Sequence, residues 1–365
     1  MSLKTINSSE KSFRDLAIAR WLELCLLGVL LMVCIGGLTR LTESGLSITE
    51  WRPISGVFPP HDAQSWNEAF LLYQASPEYQ QRTLGMSLQE FKRIYWMEFL
   101  HRLFGRSVGF LFIVPLMWFT AARKINLRTS IGLLGIFALG GAQGLVGWFM
   151  VRSGLQLSPM VSPYWLTAHL LTAMIIFALI NLQALRFRYG LLLHSPRKSE
   201  QLRPFRRLVS IGIVLLFLQV GFGGMMAGWD AGLLFNSFPL MEGKLIPDGI
   251  FILDPWYKNF GENTTMIHFI HRAFAVILVG FWFCVLWSIW KKSEKKNLRF
   301  LALYMAIALV FQFALGGLVV ISYVQISLAS LHQLLAFLLL WLGLRLWFAL
   351  RVDMVRPLFM SKTAE

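Results

Sequence analysis

Glu98-Phe99-Leu100-His101-Arg102 and His268-Phe269-Ile270-His271-Arg272 each open an apolar run long enough to cross a membrane. A second embedded histidine follows each stretch further along, His169 after the first and His332 after the second. An imidazole in hydrocarbon needs a partner: a metal, another polar side chain or a backbone carbonyl. Two such residues in each half of the chain fit two bis-histidine iron-porphyrin sites, with His101 facing His169 and His271 facing His332 across helix bundles. The competing reading makes each a structural histidine hydrogen-bonded between packed helices. His61 and His194 fall in loops and read as solvated.

Glu98 stands one helical turn before His101, so both side chains project from one face. A carboxyl there is partly desolvated and suited to carry protons or to stabilise a cation near an iron. An interfacial glutamate that snorkels or caps its helix is the alternative. His268 holds the matching place before His271 and cannot carry negative charge. That asymmetry makes the first half the expected reaction site and suits the second to electron transfer; the role of His268 itself stays open. Arg102 and Arg272 directly follow their histidines and point about 100° away around the helix. They either pair with porphyrin propionates or snorkel to the interface, and the spacing favours neither.

These residues need membrane-spanning helices to position them. Eight apolar blocks of suitable length lie at about 17–39, 98–121, 130–151, 164–186, 207–228, 266–290, 299–321 and 327–349. Lys and Arg gather in alternate connections, among them Arg123, Lys124 and Arg128, then Arg197, Lys198, Arg203, Arg206 and Arg207, then Lys291, Lys292, Lys295 and Lys296. By the positive-inside rule these connections and both termini are cytoplasmic. Two long loops, about 40–97 and 229–265, lie on the outer side and carry Glu43, Glu50, Asp230, Asp254 and Glu262. Trp51, Trp96, Tyr164, Trp165 and Trp256, near span ends, read first as interface anchors.

Composition agrees with this plan. Of 365 residues, 56% are hydrophobic, and their grouping into blocks points to a membrane more firmly than the mean hydropathy of +0.59 does. The net charge of +15 sits at block ends rather than on one soluble face, which argues against a nucleic-acid partner. Cys25, Cys34 and Cys284 all lie inside apolar blocks and form neither a CxxC motif nor an extracellular disulfide framework. Lys4, Lys11, Arg14, Asp15 and Arg20 precede a first block with no small-residue cleavage site, so no removable signal peptide is expected.

The chain also repeats itself. Gly36-Gly37 with Glu43 and Gly45 ends the first span, and Gly223-Gly224 with Asp230 and Gly232 ends the fifth at one constant offset. Pro53 to Gly56 and Pro239 to Gly243 continue the match, and His101-Arg102 pairs with His271-Arg272. The fold class expected is therefore an all-α membrane protein whose eight transmembrane helices form two parallel-repeat four-helix bundles. Its expected divisions are a cytoplasmic segment 1–16, an N-terminal half 17–190, a C-terminal half 207–350 and a cytoplasmic tail 351–365. Gly140, Gly141 and Gly144, Gly221, Gly223 and Gly224, and Gly316 and Gly317 would let helices or a flat ring approach closely.

At these residues the chain resembles the haem A synthase family. The first half carries the likeness in Gly36 to Gly45, Trp51-Arg52-Pro53-Ile54, Trp96-Met97-Glu98, His101-Arg102, Gln143-Gly144, Gly147-Trp148, Val161 to Tyr164 and Ala168-His169. The second continues it in Ala227-Gly228, Asp230-Ala231-Gly232, Asn236, Pro239-Leu240-Met241, Asn259-Phe260, Glu262-Asn263, His268, His271-Arg272 and His332-Gln333. The extended first loop is similar to that of the longer, mitochondrial-type branch. The resemblance implies a multi-pass enzyme of the bacterial inner membrane that oxidises the C8 methyl of haem O to a formyl group, giving haem A for cytochrome c oxidase. It implies haem b as cofactor on His271 and His332, substrate haem O at His101 and His169, and a functionally important Glu98. It makes haem O synthase, the protohaem farnesyltransferase, a plausible partner and leaves open assembly as a homo-oligomer. Some members carry a cysteine pair in the first outer loop; this chain has none there. A di-haem b-type cytochrome and a haem carrier remain as rival readings.

Overall fold

The computed structural model describes residues 8–52, 55–156, 159–189 and 203–351. Pro53, Ile54, Lys4, His194, Arg197, Lys198 and the tail beyond residue 351, all part of the sequence reading, lie outside the described residues. Among the described residues there is no strand, and eight helices are long and apolar enough to cross a membrane. They are α1 Ser8–Leu41, α2 Leu88–Ala121, α3 Leu127–Gly154, α4 Pro163–Tyr189, α5 Arg203–Gly228, α6 Thr264–Lys292, α7 Lys296–Ile321 and α8 Ile326–Ala349. The chain is an all-α, multi-pass membrane protein.

Each half closes on itself. Helix α1 packs on α2, α2 on α3, α3 on α4 and α4 back on α1. Helices α5 to α8 close a second ring in the same order. The rings meet where α4 lies along α5 and where α1 and α4 touch α8. One apolar core runs through both, with Leu22, Met174, Trp282, Met305, Phe337 and Leu340 fully enclosed. Lipid tails are as apolar as these side chains, so close packing rather than water exclusion must hold the helices together. Gly212 illustrates this: a Cβ there would stand 2.5 Å from the Trp282 ring, so only glycine admits the indole.

The helices differ from the sequence spans mainly at α1, which starts at Ser8 rather than near 17, and at α2, which starts at Leu88 rather than near 98. The first turns of α2 belong to a water-side element. Ser87 caps them through Glu90 N (3.3 Å) while Glu90 Oε2 accepts from Ser87 N (2.8 Å). Phe91 then packs with Trp66, Tyr73 and Tyr79 of two short helices, Ala63–Gln74 and Pro77–Gln81, into a small separate core. The second long loop is organised by buried amides. Asn259 bonds both backbone groups of Leu253, and Asn263 Nδ2 donates to Gly249 O (2.7 Å) while its Oδ1 caps α6. The halves are tied on this side by Arg40 with Asp230, and at the opposite end Arg188 with Glu23 ties α4 to α1 within the first half.

Candidate functional site

The four repeat-related histidines share one packing arrangement. In each, the ring lies against a glycine of the preceding helix. A Cβ on Gly36 of α1 would stand 2.9 Å from His101 Cε1 on α2. The same distance is 2.9 Å for Gly147 and His169, 3.1 Å for Gly223 and His271, and 3.0 Å for Gly316 and His332. Any side chain at these glycines would push the imidazole aside, so the glycines are seats for the rings.

A glutamine one turn before the glycine completes three of the seats. Gln143 Nε2 donates to His169 O (2.8 Å), Gln219 Nε2 to His271 O (3.0 Å) and Gln312 Nε2 to His332 O (3.1 Å). Gln219 Nε2 also lies 3.1 Å from His271 Nδ1. His101 lies near His169, and His271 near His332. The Nδ1 atoms of His101, His169 and His332, like that of His268, are buried without a hydrogen-bond partner. Structural histidines in a core are expected to be satisfied, so orphaned ring nitrogens fit the donor set of a metal centre. The paired imidazoles and their glycine seats therefore suit an iron-porphyrin better than a purely structural role.

The arginines and their partners form two matched clasps. Arg102 Nε (3.1 Å) and Nη2 (2.6 Å) donate to Glu98 Oε1, while its other bonds go to Ile48 O (3.0 Å) and Glu50 O (3.2 Å). In the second half Arg272 Nε donates to His268 Nε2 (2.9 Å), with Phe235 O (2.9 Å) and Ser237 O (2.8 Å) completing the set. Each arginine thus pins the strap that leaves α1 or α5 onto the helix carrying its histidine. Glu98 and His268, the asymmetry that the sequence read as separating a reaction site from an electron-transfer site, hold the same place in the two clasps, each accepting from the Nε of its arginine. Glu98 is 2% exposed, and its second oxygen accepts from Ser47 Oγ (2.7 Å) and Ile48 N (2.8 Å). Four converging donors suit a carboxylate, which only accepts. With their donors engaged inside the protein, Arg102 and Arg272 are strap anchors in this structure.

Several functional candidates escaped the sequence reading. Gln219 and Gln312 carry the signal Gln-x-x-x-Gly, shared with Gln143 and Gly147, and that spacing could have revealed them. Ser47 and Ile48 could not be found, because their bond to Glu98 spans a long loop. Glu78 is a second buried carboxyl, on the short helix Pro77–Gln81, with Oε2 unpartnered. Burial first, and then the charge on Glu98, pushes its pKa up to about 7, against the opposing pull of Arg82. Trp51, expected at the interface, stacks on Trp148 at 4.9 Å beside the His169 seat. An open surface cleft of about 500 Å³ over Thr83, Gly85, Arg93 and Ile94 contains none of the histidines.

The chain matches the COX15-CtaA family, described as cytochrome oxidase assembly protein, over residues 19–344. It is similar to the heme A synthase of Wolbachia pipientis, 38% identical over 344 residues that cover 93% of this chain and 95% of the relative. It is 39% identical to the heme A synthase of Nitrosomonas eutropha over 344 residues, with the same coverage of 93% and 95%. Against the heme A synthase of Rhizobium meliloti it is 40% identical over 350 residues, covering 95% of this chain and 93% of the relative.

Proposed function

The chain belongs to the COX15-CtaA family of cytochrome oxidase assembly proteins, and from that premise we propose that it is a haem A synthase, an oxidoreductase acting on haem O. The observation that carries the reading is the set of four imidazoles in two pairs, each ring seated on a glycine and three of them held by a glutamine. The finer assignment follows the asymmetry between the clasps. Residues 17–190 form the substrate half, where His101 and His169 receive haem O. Residues 207–350 form the cofactor half, where His271 and His332 hold haem b. The termini are cytoplasmic, the membrane is the bacterial inner membrane, and the long loops face outward.

The reaction turns the C8 methyl into a formyl group, R–CH3 + H2O → R–CHO + 4 H⁺ + 4 e⁻, so the site must pass on electrons and protons. Haem b supplies one-electron transfer when bound. The protein's own residues do the rest. The glycine seats orient the imidazoles, and the two straps, clasped by Arg102 and Arg272, cover the histidine-bearing ends of α2 and α6. Glu98 places a fixed negative charge one turn from His101, where it stabilises positive charge developing on the substrate. We assign it an electrostatic role rather than that of proton acceptor, because its acceptor sites are already filled. The protohaem farnesyltransferase that makes haem O is the natural partner, and a homo-oligomer is compatible with this assignment.

Pigment extraction tests the proposal. Expressed beside a haem O-producing farnesyltransferase, the protein is expected to yield formyl-bearing haem A. Unchanged haem O, with the protein folded and its haem b in place, would refute the reading and leave a di-haem cytochrome or a carrier.

A further inference from the structure

Three of the four histidine seats are alike and one is not. Gln143, Gln219 and Gln312 each stand one turn before the seat glycine and donate to the backbone carbonyl of the seated histidine. The same position in α1, one turn before Gly36, is Met32. A second difference accompanies it. One turn after the histidine stand Ala173, Ala275 and Ala336 in the three glutamine seats, but Gly105 after His101. The two changes fit together: the Met32 methyl would lie 3.4 Å, and its sulfur 3.8 Å, from a Cβ on Gly105. The thioether therefore occupies the space on the His101 helix that the missing methyl leaves open. It has no N–H to give, so the carbonyl of His101 lacks the amide that the other three receive.

We propose that Met32 and Gly105 make His101 the releasing ligand of the set, so that haem bound in the N-terminal half leaves through loss of the His101 bond. The inference rests on the reading of that half as the substrate site. A resident cofactor gains from two rigid seats, and His271 and His332 both have them. A substrate that must depart as product gains from one rigid and one compliant seat, as His169 and His101 provide. The amide bond fixes the turn that carries the imidazole, and without it the helix can shift or tilt the ring with less resistance. One buried hydrogen bond changes an equilibrium by roughly three- to tenfold.

Met32→Gln tests this, since the two side chains have nearly the same length. The variant is purified from cells that also make haem O, alongside wild type, Met32→Leu and the reverse change Gln143→Met. Two readouts are taken: the ratio of farnesylated haem to haem b by pigment extraction, and the rate of haem transfer to added apomyoglobin followed by absorbance. Met32→Gln is expected to slow transfer roughly three- to tenfold and to raise the ratio. Gln143→Met is expected to speed transfer by a similar factor. An unchanged rate in either variant, with haem b content intact, overturns the proposal. Slowing by Met32→Leu as large as that by Met32→Gln overturns it too, because leucine brings no amide. The parent reading fails separately: if His101→Ala and His169→Ala both keep full farnesylated haem, the N-terminal half is not the site, and the inference falls with it.

Discussion

Substituting Glu98 separates the charge beside His101 from the clasp that holds the first strap. The carboxylate accepts four hydrogen bonds, two from Arg102 and one each from Ser47 and the Ile48 N–H. In Glu98→Gln only one oxygen remains. With that oxygen toward Arg102, the new NH2 faces the Ile48 N–H, which cannot accept; turned the other way, it faces the guanidinium. A buried donor is orphaned in either case, at about 1–3 kcal/mol. Loss of the ion pair adds to this, discounted because the Arg102 side chain is 21% exposed. The clasp should weaken by about 3 kcal/mol in total. Removing an oriented charge from a reacting centre lowers the rate about 10²-fold, or ~2.7 kcal/mol. The two terms are equal in size, so Gln alone leaves them confounded.

The second half of the chain supplies the control. His268 accepts from Arg272 at 2.9 Å and carries the same strap without a carboxylate. Glu98→His should therefore keep an acceptor for Arg102 Nε while removing the charge, but like Gln it leaves the Ile48 N–H without its acceptor. Hydrogen exchange of residues 42–52 is expected to rise in both variants. Haem A yield, measured by pigment extraction at matched protein levels, should fall about 10²-fold in both, with haem b retained. Near-wild-type haem A from Glu98→His would refute the electrostatic role and leave Glu98 as a strap anchor alone.

His271→Ala and His332→Ala should each remove or greatly weaken a six-coordinate, low-spin b-type spectrum, and unchanged haem content in both would sink that assignment. Gly316→Ala puts a Cβ 3.0 Å from the His332 ring carbon, so haem b occupancy should fall several-fold, whereas alanine at Gly140, which meets nothing within 4 Å, should leave the visible spectrum unaltered. The first outer loop should loosen as pH rises. Glu78 titrates near 7 when folded and near 4.5 when exposed, so the folded loop holds the extra proton. Its stabilising contribution is fully present below about pH 4.5 and is lost as pH passes 7, a change on the order of 3 kcal/mol at full ionisation. The groups acting on it are Glu98, Arg82, Glu43 and Tyr73. Limited proteolysis across residues 55–87 should accelerate between pH 5 and 8 in wild type but not in Glu78→Gln; equal pH dependence in both would disprove the assignment.

The sequence by itself determined the eight spans and the all-α class. Those features rest on block length and on charged or imidazole groups standing out against an apolar background, signals that survive without coordinates. It misjudged the start of α2, because the pattern around Phe91 and Tyr95 reads as loop until Trp66 and Tyr73 are known to pack against it. The glycine seats were visible only as small residues in apolar helices, where close helix packing is the default explanation. Tertiary structure alone decided that Gly36, Gly147, Gly223 and Gly316 each meet an imidazole, since those contacts join different helices. It also showed that Glu98 and Arg102 bond to one another and to Ser47, Ile48 and Glu50 of the first strap. Nothing in the local spacing distinguishes an arginine reaching for a ligand from one clasping Ile48 and Glu50, residues that are far away along the chain and adjacent only once the strap has folded back.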